Sequence, residues 1–129
     1  MKLINNMNCP CGSALQYENC CQPYHLKLKL APTAEALMRS RYAAFVLAEA
    51  DYLFETTHVS RRKGNGKDAY LQSAKDTKWV KLEIIAADFN TVEFKAFYLT
   101  KKFQTAILHE KSNFIFENGE WYYVDGVFY

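Results

Sequence analysis

In Trp79-Val80-Lys81-Leu82-Glu83-Ile84 the apolar Val80, Leu82 and Ile84 alternate with the charged Lys81 and Glu83, and the alternation returns in Val92-Glu93-Phe94-Lys95-Ala96-Phe97-Tyr98, where only Phe97 breaks it. A period of two is the mark of a strand with one buried face. Ala106 to Phe116 and Trp121 to Phe128 extend the set to four strands joined by short polar turns, among them the hairpin dipeptide Asn118-Gly119. Ahead of residue 79 the period is helical. Thr33 suits an N-cap, and Ala34, Leu37, Met38, Tyr42, Phe45 and Val46 keep one face, so 33–48 is expected as an amphipathic helix. Further helices are expected at about 51–57 and 68–76, separated by a basic, glycine-containing loop over 60–67. Helices first and an antiparallel meander afterwards predict an α+β fold, with about three helices packed on one face of a curved sheet.

The segment before the helices carries the chemistry. All four cysteines of the chain fall there, as Cys9-Pro10-Cys11 and Cys20-Cys21. One intervening residue is too short for a relaxed disulfide, and adjacent cysteines strain it further. A tetrahedral zinc ion accepts four thiolates at about 2.3 Å from short loops folded around it. Gly12 supplies a tight turn after Cys11, Pro10 stiffens the loop, Ser13 can cap the turn that follows, and Lys2, Lys27 and Lys29 can offset the charge of the thiolates. The cluster therefore reads as a structural Zn2+ site with Cys9, Cys11, Cys20 and Cys21 as ligands. A disulfide pair, an iron–sulfur cluster and a redox dithiol are the competing readings of the same thiols. His25, four residues after Cys21, could replace one thiolate. With four thiolates the site is closed, so the metal should fold residues 1–25 and not catalyse. This segment has few large apolar residues, whereas residues 26–129 hold an aromatic core of their own, so the two are expected to be separable, with a break at Ala31-Pro32.

The remaining composition narrows the class. In 129 residues, 50% hydrophobic and 16% aromatic content is ample for one packed core. A formal charge of +2, brought to about zero by four thiolates and one divalent ion, gives no general field for nucleic acid. Arg61-Arg62-Lys63 with Lys67 is the one basic cluster that could touch nucleic acid or a ribosome, and it reads equally as a solvated loop tip. Met1 to Asn8 lacks the apolar run of a leader, and no stretch reaches the roughly 18 apolar residues of a membrane span. A cytoplasmic protein without membrane contact is the expectation.

These residues also converge on a family. Cys9-Pro10-Cys11-Gly12-Ser13, Tyr17 and Cys20-Cys21 resemble the SEC-C zinc motif at the end of the SecA translocation motor. Thr33-Ala34-Glu35-Ala36-Leu37-Met38-Arg39-Ser40-Arg41-Tyr42-Ala43-Ala44-Phe45 is similar to the core signature of YchJ-like proteins, with further matches at Asp51-Tyr52-Leu53, Thr56, His58, Val92-Glu93-Phe94, His109-Glu110, Ser112, Phe114 and Trp121-Tyr122-Tyr123 with Gly126. The resemblance implies a SEC-C zinc segment over 1–25 and a nuclear-transport-factor-2-like cone over 26–129, whose bent sheet wraps a pocket beside three helices. In the motor the related segment faces the chaperone SecB and ribosomes. The implied function is a small protein-interaction module with an unidentified protein partner, tied to chaperone, translocation or ribosome machinery, and a binding role is favoured over an enzymatic one. Cones of this type often dimerise through the sheet, so a homodimer is a further expectation.

A pocket would open a second possibility, a small-molecule binder or an enzyme. Strand parity places Glu110 and Ser112 on the face of Phe114 and Phe116, pointing inward, with His109 outward. A carboxylate among aromatics must find a donor, and Arg41, Arg39 and His58 are the candidates. Glu110 or His58 could then serve as a general base beside Arg41, or Arg41 and Glu110 could form an ion pair that fixes the first helix on the sheet.

Overall fold

The computed structural model describes residues 7–62 and 66–129. Lys2 and Lys63, each given a role above, lie outside the described residues, as does the stretch 63–65 of the basic loop. The order is α1 (Gln22–His25), α2 (Ala34–Leu47), α3 (Ala50–Glu55), α4 (Gly66–Asp76), then β1 (Lys78–Ala87), β2 (Thr91–Leu99), β3 (Thr105–Glu117) and β4 (Glu120–Phe128). The strands form one antiparallel sheet in sequence order, so the α+β meander is as read. Thr33 caps α2, its Oγ1 accepting from Ala36 N at 3.0 Å. Asn118 and Gly119 take φ of 53° and 82°, the left-handed pair that a two-residue hairpin turn requires. The short helix α1, inside the cysteine-rich segment, was not anticipated, because four residues show no periodicity.

Two inward placements are corrected. The register of β1 on β2 slips between Trp79 and Lys81, leaving Val80 as an extra residue and 55% exposed. The bulge lets Trp79 pack on Tyr42 and Tyr98 while Leu82, three residues later, is still buried. A second slip between Ile84 and Ala86 turns Ile85 outward. Such bulges increase the local twist, which suits a sheet that curves around its contents. On β3 the parity holds for Glu110, Ser112 and Phe114, but Phe116 is 55% exposed, lying beside Trp121 at the end of the strand.

The core sits between α2 and the concave face. Leu37, Met38 and Tyr42 pack with Leu82, Val92, Phe94, Ala96, Phe114 and Trp121, and Leu53 of α3 joins them. A parallel bridge closes the layers: Tyr123 N donates to Thr56 O at 2.8 Å, and His58 N donates to Tyr123 O at 2.8 Å. The far side of α2 is occupied too. Ala43 packs with Cys9, Cys11, Tyr17 and Cys21, and Leu47 lies against that group, so the cysteine-rich segment and the helix share a core.

Leu53 has no exposed surface, and its carbonyl accepts from Arg41. Leu53→Ala should destabilise the protein by about 2–5 kcal/mol, read as a lower urea midpoint at unchanged slope.

Candidate functional site

The cysteine loop is built by a small set of backbone bonds. Cys9 N donates to Leu15 O at 2.8 Å and Tyr17 N to Met7 O at 2.8 Å, with a bridge between Asn8 and Gln16. The chain reverses through Gly12 (φ 82°) and Ala14 (φ 70°), so the turn expected at Gly12 is there. A 3-10 turn over Tyr17–Asn19 then brings Cys20 and Cys21 back, the latter at the start of α1. Ser13 Oγ accepts from Leu15 N at 3.2 Å and contacts Cys20 Sγ at 3.1 Å.

The four sulfurs lie within 4.8 Å of one another, and those of Cys9, Cys11 and Cys21 belong to buried residues. None is in a disulfide. Cys11 and Cys20 sulfurs are 3.6 Å apart, Cys20 and Cys21 sulfurs 3.9 Å. A tetrahedron with metal–sulfur bonds of about 2.3 Å has edges of about 3.8 Å, so the set fits one cation and is too tight to enclose several irons with their sulfides. Thiols this close cannot all ionise together. The Cys21 and Cys9 thiols donate to Cys11 and hold it far below the ordinary value, while hydrogen bonding to Cys11 raises Cys9 to about 12 and pushes Cys21 higher still. A cation among them removes that conflict by stabilising every thiolate at once.

His25 stands outside this set. Its Nε2 donates to Ser40 O at 2.8 Å, which leaves Nδ1 as acceptor for Tyr17 OH at 2.6 Å. Both nitrogens are spent on tying the loop to α2. Charge compensation also differs from the expectation. Lys27 pairs with Glu55, and Lys29 lies over Tyr24. Among the described residues, the cation tied to the loop is Arg39, whose Nη1 donates to Cys11 O at 2.8 Å while Nε donates to Glu35.

The second site is a cavity of about 420 Å3 between the helices and the concave face of the sheet. Phe45, Trp79, Tyr98 and Leu108 are among its apolar walls, and Arg41, Glu110, Ser112 and Tyr123 contribute polar groups. Glu110 is 6% exposed and faces inward as its parity requires. Its donors are hydroxyls: Ser112 Oγ and Tyr123 OH each reach Oε2 at 2.8 Å. Burial, and then the carboxyl group beside it, push the Tyr123 phenol well above its ordinary range, so that group stays a donor. Arg41 does not pair with Glu110. Its Nη1 donates to Leu53 O at 2.9 Å, Thr56 Oγ1 at 2.7 Å and Thr57 Oγ1 at 3.3 Å, and its guanidinium lies 4.8 Å from the Tyr123 ring centre. Arg41 thus fastens α2 to α3 and the residues that follow it, where an ion pair holding α2 on the sheet was expected. His58 is elsewhere, its Nε2 3.0 Å from Glu117 and its ring edge-on to Tyr122. His109 is outward and bonds Glu93 at 2.7 Å.

Sequence reasoning noted Gly126 only as a family match and gave it no role. It pairs with Ser112 across the sheet, and a Cβ there would fall 2.0 Å from Glu110 Oε2, so the carboxyl group rests in the space of an absent side chain. A lone glycine inside a strand is the signal that could have found it. In the basic loop, Arg61 pairs with Asp125, Arg62 donates to Thr57 O and Glu55 O, and Lys67 pairs with Asp51. No described helix is long and apolar enough to cross a membrane.

Comparison with known proteins agrees with this layout. Residues 33–126 match the family model described as YchJ, middle NTF2-like domain, and residues 6–23 match the SEC-C motif. The solution structure of a SEC-C motif containing protein from Rhodopseudomonas palustris is similar at 35% identity and TM-score 0.85, over 94% of this chain and 98% of that one. A crystal structure of a SEC-C motif containing protein from Psychrobacter arcticus is similar at 32% identity and TM-score 0.79, over 96% of this chain and 84% of that one.

Two measurements check the geometry. Gly126→Ala should cost about 1–3 kcal/mol by crowding the carboxyl group, and the cost should shrink in a Glu110→Ala background, giving a coupling of at least about 0.5 kcal/mol in urea unfolding. Burial lowers the His25 pKa, so the unfolded chain binds that proton more readily. This residue's contribution therefore falls as pH drops below about 6.5 and levels off only below the folded value. Imidazole nitrogen shifts should show His25 in the neutral Nε2–H form at pH 7; a charged ring or the Nδ1–H tautomer there would refute the assignment.

Proposed function

The chain belongs to the YchJ-like family, with a SEC-C motif ahead of its nuclear-transport-factor-2-like domain, and on that footing we propose that it is a small zinc-stabilised protein-interaction module. The observation that carries this reading is the convergence of four sulfurs within 4.8 Å on a loop packed against α2. Four soft donors at tetrahedral spacing suit Zn2+, with Cys9, Cys11, Cys20 and Cys21 as its ligands and no position left for substrate. Bound there, the ion would neutralise the thiolates and cross-link the loop. Its role is to hold a surface in shape.

That surface supports the binding reading. Leu15, Leu26, Leu28 and Leu30 are more than half exposed, with Lys27 and Lys29 interleaved among the last three. Apolar side chains alternating with cations fit a partner segment that carries apolar and acidic groups. The machinery implied by the SEC-C resemblance supports a cytoplasmic setting for that work. A homodimer through the outer sheet face is compatible with the exposed Ile107, Ile115 and Val127. A second reading, a small-molecule binder, is favoured by the cavity and by the carboxyl group held within it.

The purified, reduced and metal-replete chain should contain one equivalent of zinc by elemental analysis, and less than about half an equivalent would count against the site. Chelation should raise amide exchange in residues 7–25 and on the Ala43–Leu47 side of α2 while the strands stay protected. A partner identified by capture should bind the purified chain, and lose that binding on Leu28→Ser with Leu30→Ser or on replacing the four cysteines by serine. Binding indifferent to both changes would defeat the interaction reading.

A further inference from the structure

The concave cavity holds an acceptor that the fold does not use. Glu110 Oε2 takes both hydroxyl donors, and among the described residues Oε1 has none. Nor is Oε1 sealed away: among the described residues it is not one of the buried side-chain atoms left without a hydrogen-bond partner, as Trp79 Nε1 is. A carboxyl oxygen at an apolar cavity with no protein donor calls for a donor from the occupant. Gly126 makes the same point from the sheet side, since the strand forgoes a side chain there and leaves the carboxyl group its seat.

The other polar group near the floor limits the charge of that occupant. Arg41 lines the same cavity and among the described residues has no carboxylate partner, its bonds running to one carbonyl and two hydroxyls. An ammonium ion offered to Glu110 would have to enter beside a guanidinium, and a carboxylate offered to Arg41 would have to enter beside Glu110. A neutral head that carries an N–H donor and a carbonyl acceptor meets neither conflict. The walls set the rest of the molecule. Phe45, Trp79 and Tyr98 meet at steep interplanar angles, which presents ring edges and faces to a flat apolar body. A volume of about 420 Å3 lies in the range of small-molecule sites.

We propose that the cone binds a neutral, flat, mainly apolar small molecule through a carboxamide-type head, whose N–H donates to Glu110 Oε1. This rests on the small-molecule reading given above and names its ligand class.

Three probes of one shape test it: benzamide, acetophenone, which replaces the NH2 by a methyl group, and benzoate, which replaces it by a charged oxygen. Each is titrated at millimolar concentration into the isotope-labelled full-length protein, and the amide shifts of residues 108–112 and Tyr123 are followed. Benzamide should bind about tenfold more tightly than acetophenone, the worth of one hydrogen bond to a charged group, with benzoate no better than acetophenone. Glu110→Ala should erase the preference, and Leu108→Trp, which fills the cavity, should abolish binding of all three. Equal binding of benzamide and acetophenone, or a preference that survives Glu110→Ala, overturns the carboxamide assignment while leaving a binding cavity. No shift at those amides with any probe overturns both. Should Glu110→Ala fail to fold, the contrast between benzamide and acetophenone on the parent chain still decides.

Discussion

Helix α2 is buried on two sides, and small side chains make that possible. Ser40, Ala43 and Ala44 have no exposed surface, so one side of the helix receives the cysteine loop while Leu37, Met38 and Tyr42 fill the concave sheet on the other. A large residue at any of the three small positions would drive one of the layers away. Hydrogen bonds follow the same division. His25 and Arg39 reach α2 and its loop from one side, and Arg41 leaves α2 for α3 on the other. Both candidate sites therefore inherit their geometry from the same four turns of helix.

Arg41 and Glu110 show how a buried charge pattern differs from a list of opposite signs. Ion pairing was the economical expectation for a carboxylate among aromatics. The structure instead gives each group neutral dipoles and puts the Tyr123 ring beside the guanidinium and its hydroxyl on the carboxyl oxygen. Hydroxyl and carbonyl partners satisfy a charge without cancelling it, so both groups keep a field in the cavity. An ion pair would have closed the floor. Tyr123 keeps it open.

The fold was legible wherever one pattern decided one element. Period-two runs located β2 and the inward face of β3, and the Thr33 cap located α2. The cysteine set was legible because spacing alone excludes most other uses of the thiols. The failures have physical reasons. A bulge shifts parity without changing composition, so Val80 looked inward. A short strand overrun looks like strand, so Phe116 looked buried. The partners of Arg41, His25 and Arg39 lie across tertiary contacts that no local window contains. Gly126 could have been read as a close approach, but what approaches it comes from a neighbouring strand.

The parallel bridge between Thr57 and Tyr123 bears on how the chain reaches this state. Nearly every other pairing in the sheet joins neighbours in sequence, and hairpins of that kind close quickly because little chain entropy is lost. The bridge joins the end of the helical half to the last strand, and it closes a far longer loop than any hairpin of the meander. It is therefore suited to be the late, slow step of folding. Until it closes, Tyr123 cannot be placed between Arg41 and Glu110, so the cavity floor would be the last part of the molecule to mature.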